Sequence, residues 1–491
     1  MKIKYHFQKH HLILIGIILI GLFLRSYQLR EWFVYGHDHD LASWIVKDIV
    51  INKHPRLIGQ LTSTPGIFIG PIYYYSLIPF YLLFNMDPIA LPVSSVVYGM
   101  FIIWSTYFTF SRIINKKVGL IAAFIYAVSL YTVHNDRESV PTTPVIAWTI
   151  WYLYSLVLIL KNKTRYAFIL LGILFGLIWH LNMTLFLLSP LVIIALYLVK
   201  VKIKVKDIIS GIVPFLLVSL PLIAFETRHG FSQIRSFMLA FTADQGDNTY
   251  QGISKIIRVI YLINKNYSGL ISGYLPDNPT KYITLLTIVL LFVYLFKKKI
   301  ISKNISVLVV AWSVIYILFF SLYSKTLSEY YLNGIMVLAL VVLSVFIGYL
   351  LDNARRKWMG YFILIAFLII NIYRLSLFGG STIYTDKLAI VEHIEEHSQM
   401  QGYECVAVSY LTDPGYELGY RYFYWFEGLK LNHISDHVPV YSIVFPQKPY
   451  FETDADFGAI GLIYPDPSIK DNIICEDENT NLTDPMFGYT E

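Results

Sequence analysis

The sequence contains few charged residues and few cysteines. Only 15% of its 491 residues are Asp, Glu, Lys or Arg, and 56% are apolar, whereas a typical soluble domain carries about 25% charged residues. Two cysteines in so long a chain exclude a disulfide-stapled scaffold. The large apolar fraction excludes a disordered chain and a single soluble globule. The composition therefore indicates a protein that lies mostly in a bilayer.

The few charges are unevenly distributed along the chain. Residues 380–491 hold 19 of the 33 acidic residues but only 5 of the 39 Lys and Arg residues. This tail therefore carries a net charge of −14 and the rest of the chain +20. The overall +6 is the difference between two unlike segments, and it gives no reason to expect a nucleic-acid partner.

Apolar runs that could cross a hydrocarbon core of about 30 Å recur along the first 376 residues. We predict eleven transmembrane helices, near residues 11–27, 90–110, 118–132, 144–160, 166–179, 183–199, 207–224, 281–296, 304–321, 335–350 and 358–376. The first run lacks a small-residue cleavage site, so we expect a retained anchor rather than a signal peptide. Segment 66–84 is also apolar, but its two prolines and three consecutive tyrosines favour a helix along the outer surface.

Basic residues mark one side of this arrangement. Alternate connections, together with the N-terminus, carry 20 Lys and Arg residues and one acid, Asp352. By the positive-inside rule these connections face the cytoplasm. The N-terminus is then cytoplasmic, and an odd number of spans places the acidic tail outside. The predicted outer loops are residues 27–89, 133–143, 225–280 and 321–334, which are the first, second, fourth and fifth; the third is the minimal turn "HLNM" at residues 180–183.

The acidic tail has the sequence pattern of a separate domain. We predict a membrane module over residues 1–378 and a small extracytoplasmic α/β domain over 379–491. The segment "TDKLAIVEHIEEHS" is typical of a helix, and "ECVAVSYL", "VYSIVF" and "AIGLIY" are typical of buried strands. Cys405 and Cys475 both lie in this domain; a disulfide and two free thiols are both compatible with the sequence.

The first outer loop holds the densest group of polar residues. In "YGHDHDLASWIVKDI", Asp38 and Asp40 alternate with His37 and His39. A carboxylate at this place can act as a general base, and an Asp-x-Asp pair can bind a divalent cation. The alternative is an ordinary solvated loop. His37, Asp38, His39 and Asp40 are therefore the candidate ligands for a metal, if one is bound.

Further candidates lie in the later outer loops. They are Asp136 and Arg137 in the second loop, Glu226, Arg228 and His229 in the fourth, and Lys325, Glu329 and Tyr330 in the fifth. Each group has a local alternative, such as a turn capped before a helix or an ion pair between neighbours. Together, acids from the first loops and bases from the later ones suit a phosphate-linked lipid that arrives from the outer leaflet.

The order of these parts resembles the GT-C superfamily of integral membrane glycosyltransferases. The likeness is greatest to the branch of protein mannosyltransferases and lipid A aminoarabinose transferases. It is carried by "HDHDLASWIVKDI", "HPRLIGQLTSTPGIFIGPIYYY" and "FETRHGF", and by a second acid after the third span. The resemblance implies a membrane α-helical fold of GT-C type with a long first outer loop.

The resemblance also implies an activity. Such enzymes transfer a sugar from a polyprenyl-phosphate donor to a glycan, lipid or protein acceptor at the outer face of the cytoplasmic membrane. The first-loop Asp is taken as the base; the role falls on Asp38 or Asp40, with Asp38 preferred. Asp136 matches the second acid, and Arg228 and Lys325 would stabilise the phosphate. Some members use a divalent ion and others need none, so a metal requirement stays open.

The main alternative is a transporter or flippase of lipid-linked saccharides. A transporter is expected to carry charged residues within its spans, along the path of its substrate. Here the spans are nearly free of charge, and the charges gather on one face of the membrane. This distribution favours chemistry at the surface over transport.

Overall fold

The fold is described from a computed structural model. The structure describes residues 9–62, 64–242, 252–273, 282–323, 327, 329–377, 383–435, 437–447, 452–468 and 475. Helices make up nearly all of the described part before residue 378. They are α1 (Lys9–Ser26), α2 (His37–Val50), α3 (Ile72–Leu83), α4 (Ala90–Ile113), α5 (Lys116–Val128), α6 (Leu130–Asn135), α7 (Val145–Leu160), α8 (Thr164–Leu181), α9 (Pro190–Val199), α10 (Val205–Arg228), α11 (Ser232–Thr242), α12 (Ile253–Ser272), α13 (Ile283–Lys297), α14 (Lys303–Leu322), α15 (Met336–Asp352) and α16 (Lys357–Ser376). Short 3-10 helices cover Met183–Leu188 and Glu329–Ile335.

Many of these helices are suited to a bilayer. Within the described residues, seven are long and apolar enough to cross a membrane: α1, α4, α8, α10, α14, α15 with the turn before it, and α16. Each of the eleven predicted spans falls on a helix, so the prediction of a multi-pass helical protein is confirmed. The other predicted spans fall on shorter helices, such as α13 with 15 residues, which rises about 22 Å. The number of crossings and the orientation of the termini remain predictions.

Two segments outside the predicted spans form helices. Segment 66–84 contains α3, whose 12 residues rise only about 18 Å, less than the thickness of a hydrocarbon core. Segment 225–280, predicted only as an outer loop, contains α11 and α12. Helix α12 packs between α13, α14 and α6 and buries Val259, Leu262 and Ile263. Its bases interrupt the apolar run, which is why hydropathy alone does not find it.

The described part of the tail contains helices and a small sheet, the mixture of elements that the sequence predicts there. Its elements are α17 (Ile383–Gln401), β1 (Ala407–Thr412), α18 (Arg421–Phe426), β2 (Val440–Phe445), β3 (Ala455–Phe457) and β4 (Ile460–Ile463). The sheet order is β1-β2-β4-β3, with β1 parallel to β2 and the other pairs antiparallel. All three segments predicted as buried strands contain a strand, because short apolar runs rich in Val, Ile and Tyr suit a covered sheet.

The hydrophobic core is divided into two clusters. The larger cluster lies among the membrane helices from α1 to α16. The smaller cluster combines side chains of the first outer loop, such as Phe33, Trp44 and Tyr81, with tail residues such as Tyr384 and Phe423. The first outer loop and the tail therefore share one core, although about 300 residues separate them in sequence. The domain boundary at 378/379 remains a prediction from the sequence. The smaller hydrophobic cluster contains residues from both sides of this boundary.

Cys405 and Cys475 form a disulfide in the structure. A bridge that closes 70 residues restricts the unfolded chain and typically stabilises by about 2–4 kcal/mol. We expect Cys475→Ser to lower the free energy of unfolding of the tail by that amount, measured by thermal unfolding of the purified protein. Dithiothreitol should have the same effect on the wild type and none on the variant. Equal stability of both proteins in oxidising buffer would contradict the bridge.

Candidate active site

The first turn of α2 presents the acidic motif of the first outer loop. Helix α2 begins after Gly36, whose extended backbone lets the chain enter the helix, and its backbone N–H donates to Nδ1 of His39 at 3.2 Å. Asp38 and Asp40 therefore both lie in the first turn, where the free N–H groups of a helix favour negative charge. The sequence resemblance allows either carboxylate as the base and favours Asp38; in the structure the two carboxylates have different environments.

Asp38 is exposed. Its Oδ1 accepts a hydrogen bond of 3.0 Å from Nε2 of Gln60, and Oε1 of Gln60 accepts one of 2.9 Å from the hydroxyl of Tyr74. The carboxylate of Asp38 is also close enough to the phenols of Tyr73 and Tyr74 to help raise their pKa values, although burial is the larger cause. Asp38 is thus an accessible carboxylate that a fixed amide orients.

Asp40 is completely buried. Its Oδ1 accepts the backbone N–H of Tyr422 at 2.9 Å and lies 3.2 Å from the hydroxyl of Tyr35. Burial raises the pKa of Asp40, and burial lowers the pKa of the nearby Lys387 ammonium. An acceptor molecule cannot reach this carboxylate without moving the tail, so the geometry favours Asp38 over Asp40 as a base.

The two histidines of the motif lie close to the acids but do not form a metal centre with them. Burial lowers the pKa of His39 to about 4 and also lowers the pKa of His37, so burial favours the neutral form of both rings. Neutral imidazole is the form that binds metals. Among the residues that the structure describes, however, no three His, Cys, Asp or Glu side chains are grouped so that they could hold an ion.

Asp136, the candidate second carboxylate, is also completely buried. Its Oδ2 lies 2.8 Å from Nη2 of Arg25, its Oδ1 accepts the hydroxyl proton of Tyr126 at 2.8 Å, and Arg25 also donates to the carbonyl of Ala127. Arg137 donates two hydrogen bonds to carbonyl groups at the end of α1. These contacts fasten the second outer loop to α1. They favour a structural role for Asp136 and Arg137 over a catalytic one.

The fourth outer loop separates into a buried acid and exposed bases. Glu226 is buried, and its carboxylate accepts the backbone N–H groups of Gln233 and Ile234, so it caps the start of α11 instead of pairing with Arg228. Arg228 and His229 are exposed at the end of α10. The ring of His229 stacks on Phe225 with centroids 4.1 Å apart. Arg228 is therefore available to an anion.

The fifth outer loop is only partly described. Tyr330 is 40% exposed, and its ring contacts Tyr331 edge-on. Lys325 and the side chain of Glu329 lie outside the described residues. Their assignment to phosphate binding stays a prediction from the sequence.

Several residues at or near the site are not among the candidates that the sequence predicts. Gln60 and Tyr74 orient Asp38. Both lie in the segment "HPRLIGQLTSTPGIFIGPIYYY" that carries the resemblance, but the sequence does not reveal their contact with the first turn of α2. Helix α12 carries three half-buried bases on one face, Lys255, Arg258 and Lys265. The spacing of these bases, at i, i+3 and i+10, is an amphipathic signal that could have found the helix. Helix α12 packs against α6, the helix that leads into the second outer loop.

Comparisons with known proteins identify the fold. Residues 68–227, from α3 to α10, match the family of dolichyl-phosphate-mannose-protein mannosyltransferases. No protein of curated function is similar enough in sequence to be matched. The family match covers a third of the chain and includes neither Asp38 and Asp40 nor the tail.

The whole chain resembles solved membrane glycosyltransferase structures. ArnT from Cupriavidus metallidurans in the apo state aligns with a TM-score of 0.60 at 10% identity, over 93% of this chain and 98% of that one. The same protein bound to undecaprenyl phosphate aligns with a TM-score of 0.58 at 10% identity, over 92% and 97%. The apo oligosaccharyltransferase of Archaeoglobus fulgidus gives 0.51 at 12% identity, over 87% and 64%. The chain has the GT-C fold that the sequence resemblance implied.

Proposed function

We propose that this chain, which has the GT-C fold, transfers a glycosyl group from a polyprenyl-phosphate-linked sugar to an acceptor at the outer face of the membrane. The observation that carries the proposal is the contrast among its acids. Asp38 is exposed and oriented by Gln60, whereas Asp40 and Asp136 are buried and hydrogen-bonded within the protein. An accessible carboxylate that a neighbouring amide orients suits a general base.

The proposed reaction is a displacement at the anomeric carbon. The acceptor hydroxyl donates its proton to the carboxylate of Asp38, and its oxygen forms a bond to the anomeric carbon. The bond between that carbon and the phosphate oxygen breaks, and the electron pair leaves with the polyprenyl phosphate. Attack opposite the leaving group inverts the anomeric configuration. Asp38 then releases its proton to water.

The leaving phosphate needs positive charge around it. We assign this role to Arg228, which is exposed at the end of α10, and to Lys325 from the fifth outer loop. The bases on α12 are further candidates, because α12 lies beside the helix that leads into the second outer loop. The likeness to an ArnT structure that holds undecaprenyl phosphate supports a lipid-phosphate donor.

A direct assay tests the proposal. The full chain in proteoliposomes is incubated with a panel of radiolabelled undecaprenyl-phosphate hexoses and pentoses and with envelope material of the source cells as acceptor. We expect at least one donor to release undecaprenyl phosphate and label the envelope fraction. Repeating the assay with EDTA shows whether a divalent ion is needed. If no donor is consumed and labelled lipid instead crosses the bilayer, the proposal fails and a flippase replaces it.

A further inference from the structure

The tail contacts the first turn of α2 directly. The backbone N–H of Tyr422 donates to the carboxylate of Asp40 at 2.9 Å, and the backbone N–H of Tyr384 donates to the carbonyl of Phe33 at 3.3 Å. The hydroxyl of Tyr35 lies 3.2 Å from the same carboxylate oxygen of Asp40. Because Asp40 is completely buried and lies two residues from Asp38, the tail is joined to the turn that presents the proposed base.

A second contact lies at the residue before the helix. Lys387 of α17 is buried, and its ammonium donates to the carbonyl of Leu418 at 2.7 Å and lies 4.3 Å from the ring centroid of Tyr420. Gly419 packs between this ammonium and the backbone of Gly36. A Cβ at Gly419 would lie 2.8 Å from Nζ of Lys387 and 3.1 Å from the carbonyl carbon of Gly36. The tail therefore sets where the chain enters α2.

The first turn of α2 is held by contacts within the first outer loop and by contacts with the tail. Within the loop, the backbone N–H of Gly36 donates to Nδ1 of His39, and Gln60 donates to Asp38. Gly36 has no side chain that could cap the helix, and Asp38 itself faces solvent. A side chain that acts in chemistry must be held within a fraction of an ångström, and a displacement of about 1 Å can cost 10²-fold in rate. The contacts of Asp40 and Gly36 with the tail add a restraint from outside the first outer loop.

We propose that the C-terminal domain positions the first turn of α2, and thereby the carboxylate of Asp38, through Asp40, Lys387 and Gly419. This inference rests on the proposed function of Asp38 and assigns the domain a part in the active site. Asp40, Lys387 and Gly419 act through another residue, so they are positioning residues and do not touch the substrate.

One pair of glycine variants separates positioning from general strain. Gly419 has φ +90° and Gly415 has φ +94°, so alanine strains the backbone at both positions. A Cβ at Gly415 meets nothing within 4 Å, whereas one at Gly419 presses on Gly36. We expect Gly419→Ala to lower kcat by about 10- to 100-fold relative to Gly415→Ala. The donor KM should be similar in the two variants. Because a Cβ at Gly419 is overpacked, the thermal midpoint of Gly419→Ala should be lower, with both variants still folded at the assay temperature.

Hydrogen–deuterium exchange gives a second readout that needs no substrate. We expect faster amide exchange across residues 37–41 in Gly419→Ala than in Gly415→Ala. Equal kcat and equal exchange in the two variants would overturn the proposal. If the wild type consumes no undecaprenyl-phosphate sugar at all, the proposed function fails, and the exchange comparison still decides whether the tail positions α2.

Two substitutions of Asp40 provide an independent test of the proposal. Asparagine retains an oxygen that can accept the N–H of Tyr422, whereas alanine leaves this buried donor without a partner. We expect Asp40→Asn to retain about a third or more of the wild-type kcat, and Asp40→Ala to fall as far as Gly419→Ala. If Asp40→Asn is instead as inactive as Asp38→Asn, Asp40 is the base and the positioning role is wrong.

Discussion

Replacing Asp38 with asparagine is expected to lower the kcat of glycosyl transfer by about 10²–10⁴-fold, the usual contribution of a positioned general base. Asparagine has the same size, and its carbonyl oxygen can still accept the hydrogen bond from Gln60, but it cannot take a proton at neutral pH. Because Asp38 is exposed, the fold should be unaffected. Initial rates in proteoliposomes with a labelled donor, measured beside the thermal midpoint, check both expectations.

Glu31→Gln is the matched control for this experiment. Glu31 is also an exposed acid of the first outer loop, and its loss should leave kcat within about twofold of the wild type. Undecaprenyl phosphate should bind Asp38→Asn and the wild type equally, because the base acts on the acceptor. Near-normal turnover of Asp38→Asn would remove Asp38 from the mechanism.

The second large effect is a loss of stability when the buried ion pair between Arg25 of α1 and Asp136 of the second outer loop is broken. Arg25→Met leaves the carboxylate of Asp136 buried without its cation, and breaking a buried pair in this way costs about 3–5 kcal/mol. Space for rearrangement is small, because a Cβ at Gly99 would already lie 2.8 Å from both side chains. Thermal unfolding in detergent should show a marked loss of stability relative to the wild type.

The double variant Arg25→Met with Asp136→Leu tests the role of Asp136. It removes both charges, so it should be more stable than Arg25→Met alone. If Asp136 is structural, the double variant should also retain transfer within about tenfold of the wild type, since a side chain that only supports packing affects the rate indirectly. A double variant that is folded but inactive to the same degree as Asp38→Asn would restore Asp136 to the catalytic set.

Much of the fold could be predicted from local sequence. Apolar runs predict α4, α10 and α16, because a helix that crosses a bilayer needs about twenty consecutive apolar residues. The strands of the tail were recognisable for a similar reason, as short runs rich in Val, Ile and Tyr. Helix α12 could not be recognised in this way. Only one of its faces is buried, and the bases on another face interrupt the apolar run.

The site was less predictable, because its geometry depends on partners far away in sequence. Asp136 and Arg25 are 111 residues apart, and Asp40 and Tyr422 are 382 residues apart. Sequence proximity makes Asp38 and Asp40 look alike, yet tertiary packing exposes one and buries the other. The glutamate of "FETRHGF" likewise appears paired with its neighbouring arginine, although Glu226 caps α11.

The core shared by the first outer loop and the tail has a consequence for biosynthesis. Residues up to Leu91 leave the ribosome about 300 residues before Tyr384, which at 5–20 residues per second is a delay of roughly 15–60 s. During that interval Phe33, Trp44 and Tyr81 have left the ribosome tunnel, but the tail residues that bury them have not yet been synthesised. A nascent chain that ends before α17 therefore lacks the tail residues that pack against Phe33, Trp44 and Tyr81 in the folded protein, and these aromatic side chains stay incompletely covered until the tail is made.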